Sequence, residues 1–143
     1  MKIWKHILVF GVPALACGAG WAAGITVWLM LVGRSDIPLA AFQENLIFGV
    51  WALFSCFASA LVSAFCYRKR WKKASTLSSI GWAALHVVTG ATLFGTMISP
   101  ILGTIFGFLF AFPLMPVQII GAHLHIRLFR YLHARFLAPQ PVG

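Results

Sequence analysis

A chain of 143 residues, of which 61% are hydrophobic and 9% charged, with a mean hydropathy of +0.92, lies far outside the range of soluble domains. Its net charge of +9 comes with only two carboxylates, Asp36 and Glu44, which excludes paired-carboxylate hydrolysis and all-oxygen metal cages. The expected class is an all-α integral membrane protein, with a single four-helix membrane domain over residues 1–143.

Crossing a bilayer takes about 20 apolar residues per helix. Four segments are expected to do so, at roughly residues 7–33, 46–66, 78–98 and 101–122. The first follows the basic start MKIWKH, which has the charge pattern of a secretory leader. The apolar core of a leader spans only about 7–15 residues before a small-residue cleavage site, whereas this one runs uncharged to Gly33, so it reads as a retained helix. Along it Ala16, Gly20 and Gly24 recur at intervals of four, a groove through which a second backbone can approach. Cys17, like Cys56 and Cys66 in the second segment, has no CxxC partner and no histidine at metal-ligand spacing. The three cysteines read as small buried apolar residues.

The second segment carries its own small-residue row, Ser55, Ser59 and Ser63, and ends in YRKRWKK. A loop over 67–77 is expected there, holding Arg68, Lys69, Arg70, Lys72 and Lys73. Lys and Arg resist translocation, so this loop belongs on the cytoplasmic side. The loop at 34–45, where Arg34 is balanced by Asp36 and Glu44, belongs on the other. Lys2, Lys5, Arg127, Arg130 and Arg135 then fall on the basic side, which gives an N-in/C-in topology. A nucleic-acid patch needs a folded basic surface or a stacking platform. One tyrosine and one tryptophan, Tyr67 and Trp71, fit the interfacial aromatic belt better, and no nucleic-acid partner is expected. At about 1 kcal/mol per basic residue near an anionic surface, anionic phospholipids are the expected partners of the 68–73 run and of Arg127 and Arg130.

The third segment contains His86 and turns at Ser99-Pro100 into the fourth, which carries Gly103 and Gly107 as a further small-residue groove. FPLMP at 112–116 places Pro113 and Pro116 inside that helix. Each removes a backbone donor and frees a carbonyl one turn earlier. A packed kink is expected, and a substrate path through the freed carbonyls is the alternative. Beyond residue 122, His123, Arg127 and Arg130 share one face while Leu124, Leu128, Leu132 and Phe136 follow another. Residues 123–138 are therefore expected to form an amphipathic basic segment on the inner membrane surface, ended by Pro139 and Pro141.

No expected span contains Asp, Glu, Lys or Arg, the usual residues of proton relays and ion coupling. No serine lies in a G-x-S-x-G motif. Histidine is what remains. His86 and His123 are expected at similar depth on antiparallel helices, with His6 in the same layer, while His125 lies about 200° round the helix from His123 and is set aside. Facing imidazoles are what a six-coordinate haem b iron needs, which makes His86 and His123 its candidate ligands. The structural alternative takes precedence: His86 bonds a neighbouring hydroxyl or carbonyl, and no cofactor or metal is expected. The expected protein has no catalytic activity and acts as an accessory or interaction subunit of an assembly in the bacterial inner (cytoplasmic) membrane, with a membrane-protein partner or as a homo-oligomer. A small oligomeric transporter or carrier of a lipid-linked substrate is the second reading, and a haem b electron-transfer subunit the third.

Overall fold

The computed structural model describes residues 3–32 and 38–138, and every regular element among them is helical. The order is α1 (Ile3–His6), a π turn (Ile7–Gly11), α2 (Val12–Val32), α3 (Pro38–Lys73), α4 (Thr76–Ile98) and α5 (Leu102–Phe136). Three stretches are long and apolar enough to cross a membrane: Ile3–Val27, Gln43–Lys73 and Thr76–Met97.

Local chemistry accounts for the element ends. Pro13 has no N–H and its ring would strike the carbonyl of Val9 in a regular α-helix. The chain widens into the π turn immediately before it, while the backbone keeps helical dihedrals at His6 and Val12 on either side. Pro38 opens α3 at the position where its missing donor is harmless. Ser75 caps α4 by accepting the Ser78 N–H at 3.3 Å. At the other end, Ser99 is forced into extended backbone by Pro100.

Two expectations about boundaries are corrected. The basic run is not a loop: α3 continues to Lys73, and only Ala74 and Ser75 separate it from α4. Arg and Lys are good helix formers, and here Arg68, Lys69, Arg70, Lys72 and Lys73 all point outward while Trp71 is wholly buried. Trp71 is therefore a core residue and not a belt residue. The segment after 122 is not separate either, since α5 runs unbroken from Leu102 to Phe136. Its Ile126 and Phe129 join the core, and Leu132 and Phe136 of the expected apolar face pack against it, while Leu124 of the same face is exposed. The helix passes through Pro113 and Pro116; Pro116 is exposed, and the side chain of Pro113 lies outside the described residues. Arg34, Asp36, Pro139 and Pro141 also lie outside them.

The helices pack as two close pairs, α2 with α3 and α4 with α5, joined through α3 and α4. Where α2 meets α3, a side chain on Gly18 would lie 2.9 Å from the Leu53 carbonyl oxygen and 3.0 Å from the Phe57 nitrogen. Ser55, Ser59 and Ser63 are buried on the inner face of α3. In the α4–α5 pair, Gly103 sits against the carbonyl of Gly95, and Gly107 against that of Ala91, with no room for a Cβ at any of the three glycines. Thr96 and Thr104 bring their hydroxyls to 2.8 Å beside this contact. The first helix behaves differently from expectation. A Cβ on Gly20 or Gly24 would meet nothing within 4 Å, because α2 and α5 stand apart at that level and both glycines line the groove between them.

The bundle exposes large apolar side chains to a degree foreign to a soluble protein, among them Ile47, Phe54, Phe65, Ile105, Phe106 and Ile120, while Ser55, Ser59, Ser63, Ser79, His86 and His125 lie inside beside its apolar core. That pattern suits a solvent of hydrocarbon tails, where close packing and internal hydrogen bonds hold helices together. It leads to a contrast in mutational cost. Gly103→Leu with Gly107→Leu should lower the melting temperature or abolish the folded monomer, since overpacking costs about 1–3 kcal/mol per site. Gly20→Ala and Gly24→Ala should be neutral or slightly stabilising in the same thermal-melt assay in detergent.

Candidate metal centre

Three helices bring a sulfur and two imidazoles together in the bundle interior. Cys17 comes from α2, His86 from α4 and His125 from α5, and all three are buried. The Nδ1 of His125 is 3.1 Å from the Nε2 of His86, which is in turn 3.8 Å from the Cys17 Sγ. One donor atom from each residue lies within 4.8 Å of the others.

The aromatic wall behind the cluster is built by Trp71, the inward-facing residue of the basic run. Its ring stands edge-on to His125 at 5.3 Å, to Phe129 at 5.5 Å and to His86 at 5.7 Å. The rotamers of both histidines are thus held from one side by packing. Arg70, on the neighbouring exposed position, lies over the Trp82 ring at 4.9 Å and ties the end of α3 to α4.

This is not the pair expected from the sequence. His123 directs Nδ1 to the Ser79 hydroxyl at 3.1 Å, and His86 meets His125. His123 and His125 stand about 200° apart round α5: His125 is buried against Trp71 and faces His86, whereas His123 is half-buried and turned to Ser79. On the antiparallel α4 and α5 the rings of His86 and His125, each leaning toward its own helix's N-terminus, lean toward each other. His6 stacks on Phe10 with centroids 6.5 Å apart, outside the cluster. The ring centroids of His86 and His125 are 5.0 Å apart, too close to admit a haem plane between them. Cys17 was discounted because no histidine is near it in sequence. Positions 17, 86 and 125 share no spacing, and the one available signal is that His86 and His125 interrupt the apolar stripes Ala83–Val87 and Ala122–Ile126–Phe129.

The proton inventory of the cluster is short by one acceptor. If the Cys17 thiol and the His125 Nδ1–H both donate, they share the single lone pair on His86 Nε2. His86 Nδ1, His125 Nε2, the Trp71 indole nitrogen and the Ser63 hydroxyl are buried without any partner among the described residues. A cation placed between the three donors would instead use three lone pairs. An ion about 2.0 Å from nitrogen and about 2.3 Å from sulfur, with ligands 120° apart, separates nitrogen from nitrogen by about 3.5 Å and nitrogen from sulfur by about 3.7 Å. The observed separations of 3.1 and 3.8 Å differ from that geometry by a few tenths of an ångström.

Beside the cluster, between α2 and α5, runs a groove of about 530 Å³. Gly20, Gly24 and Gly121 form its small-residue walls, Trp21 and Leu124 its apolar sides, and Cys17 and His125 reach it from the interior. The predicted basic residues lie elsewhere: Arg68, Lys69, Arg70, Lys72, Lys73 and Arg127 are exposed, and Arg130 is half-buried. No family model, curated protein or solved structure matches the chain.

Trp71 is the residue on which the cluster geometry leans. Trp71→Ala should cost about 3–5 kcal/mol of stability, the usual range for deleting a buried aromatic. His123→Gln should cost far less, because an amide can still pair with Ser79. Thermal unfolding followed by circular dichroism in detergent separates the two outcomes.

Proposed function

We propose that the chain is a four-span protein of a bacterial inner membrane, with both termini cytoplasmic, that holds one soft metal ion between Cys17, His86 and His125. Its role is that of a metal-holding accessory subunit in a membrane assembly, without catalytic chemistry of its own. The observation that carries this reading is the convergence of one sulfur and two imidazole nitrogens, from three different helices, at ligand separations.

Charge selects the ion. Cys17 and the two histidines are neutral before binding; on binding, the thiol proton leaves and the His125 proton moves from Nδ1 to Nε2. A monovalent ion then leaves the site neutral, and a divalent one leaves an uncompensated positive charge inside a bundle whose only carboxylates are Asp36 and Glu44. Soft sulfur and imidazole donors in a trigonal set suit copper(I). Such a site can store the ion, pass it on by exchange of ligands or carry a single electron through it. Arg127, exposed and about 3 Å along the axis of α5 from His125, supports a position for the cluster near the basic margin of the membrane.

Support for the fourth span comes from α5 itself, which exposes Ile105, Phe106, Leu109, Phe112 and Ile120 along the half that pairs with α4. Orientation rests on the exposed basic residues at the end of α3 and on α5. A reporter active only outside the cytoplasm, fused after Val142, should be silent; a strong signal there would overturn the orientation.

Purified protein titrated with copper(I) against a chromophoric competitor should bind one equivalent, with zinc(II) much weaker. Cys17→Ser, His86→Gln and His125→Gln should each abolish tight binding, while His123→Gln should not. Because one proton is released, the apparent affinity should rise about tenfold per pH unit below the thiol pKa. Equal binding by the Cys17→Ser variant would refute the site.

A further inference from the structure

A second cleft, separate from the metal cluster, opens at the basic end of the bundle and has a volume of about 680 Å³. It lies between the π turn and the second half of α3, with the end of α5 closing one side. Along α3 its lining changes character in one direction: Phe57, Leu61 and Phe65 come first, then Arg68, Lys69 and Lys72. Phe57, Leu61 and Phe65 are four apart, Arg68 and Lys69 lie three and four beyond Phe65, and Lys72 lies four and three beyond those, so they form a single stripe, apolar for about 12 Å and cationic over the next two turns. Phe10 from the π turn stacks on Phe65 at 4.6 Å and extends the apolar floor.

The head of the cleft is positive and has no counter-ion among the described residues. The chain's only acidic residues are Asp36 and Glu44, and Glu44 stands 28 residues before Lys72 on the same helix, about 42 Å away. Two histidines also face the cleft, His6 from α1 and His133 from α5. Partial burial, then Lys72, then His6 hold His133 below the usual histidine range, so it is surrounded by like charge. The His6 Nε2 is buried and has no partner among the described residues.

We infer that this cleft is a binding site for one anionic diacyl phospholipid, its phosphate held by Arg68, Lys69 and Lys72 with His6 as a further donor, and one acyl chain lying on Phe57, Leu61 and Phe65. The order of the lining, apolar below and cationic above, is the order of an amphiphile standing in a leaflet. A free phosphate would leave the aromatic floor unused, and a zwitterionic lipid would bring its own cation to the cationic head. The inference is independent of the metal cluster and survives its failure.

The test uses the full chain, delipidated in a non-ionic detergent and titrated with phosphatidylglycerol, phosphatidylcholine or inorganic phosphate under native mass spectrometry. Phosphatidylglycerol should give a single tight adduct, and phosphatidylcholine and phosphate none. Replacing Arg68, Lys69 and Lys72 together by Gln should weaken that adduct at least about tenfold, whereas Lys2→Gln, Lys5→Gln and Arg135→Gln together, an equal change of charge, should alter it less than about twofold. Equal loss in both triple variants would assign the binding to net charge, and an equal phosphatidylcholine adduct would remove the headgroup; either result overturns the proposal. If the first triple variant does not fold, the wild type still decides. Phosphatidylglycerol with a photoreactive acyl chain should label the 57–65 segment, and labelling spread evenly over the exposed helices would refute the site.

Discussion

The contact on which the rest of the bundle depends is the one where α4 and α5 approach through Gly95, Gly103 and Gly107. At that point backbone meets backbone, and no side chain larger than hydrogen fits. A contact of this kind cannot slide, because a shift of one residue along either helix would bring a Cβ against a carbonyl oxygen. The two antiparallel helices are thereby locked together near their connecting turn, and further along the same pair Ser79 meets His123 and His86 meets His125. In hydrocarbon, where burial of leucine on leucine gains nothing over contact with lipid, such close approach is a main source of helix association.

The polar groups inside the bundle bear on function. Hydroxyls and imidazoles turned inward are expensive to leave unpaired, yet several in the centre have no partner among the described residues. Buried polar groups in this state are the places where a fold has been shaped by something other than stability. Around Cys17, His86 and His125 two protons compete for one lone pair, and a small cation in place of those protons would use one donor atom of each residue.

How much of this was legible beforehand depended on the range of each signal. Helix content, the apolar spans, the inward serines at 55, 59 and 63 and the glycine rows could all be read from periodicity, because each is a property of one helix. Which row meets a neighbour could not. Gly103 and Gly107 face a partner helix while Gly20 and Gly24 face a groove, although the two patterns look alike in one dimension. The basic run was legible as charge but not as shape: five exposed cations concealed one fully buried indole, Trp71. The histidine pairing turns on azimuth and not on depth: His123 and His125 differ by only about 3 Å along α5, and it is His125 that lies on the face meeting His86 and Trp71. A cluster assembled from α2, α4 and α5 leaves no spacing for any one-dimensional reading to find.

Helix lengths in this fold are unequal, and the inequality has a geometric consequence. At 1.5 Å per residue, α4 measures about 34 Å, close to the hydrocarbon thickness of about 30 Å, while α3 and α5 measure about 54 and 52 Å. The end of α3 is tied level with the start of α4 by a two-residue link, so its excess length stands beyond the far end of α4; α5 begins beside that far end and overshoots in the opposite direction. The chain thus carries a rigid post on each side of the layer that α4 defines. Each side of that layer therefore presents helix surface that α4 does not accompany, from α3 on one side and from α5 on the other.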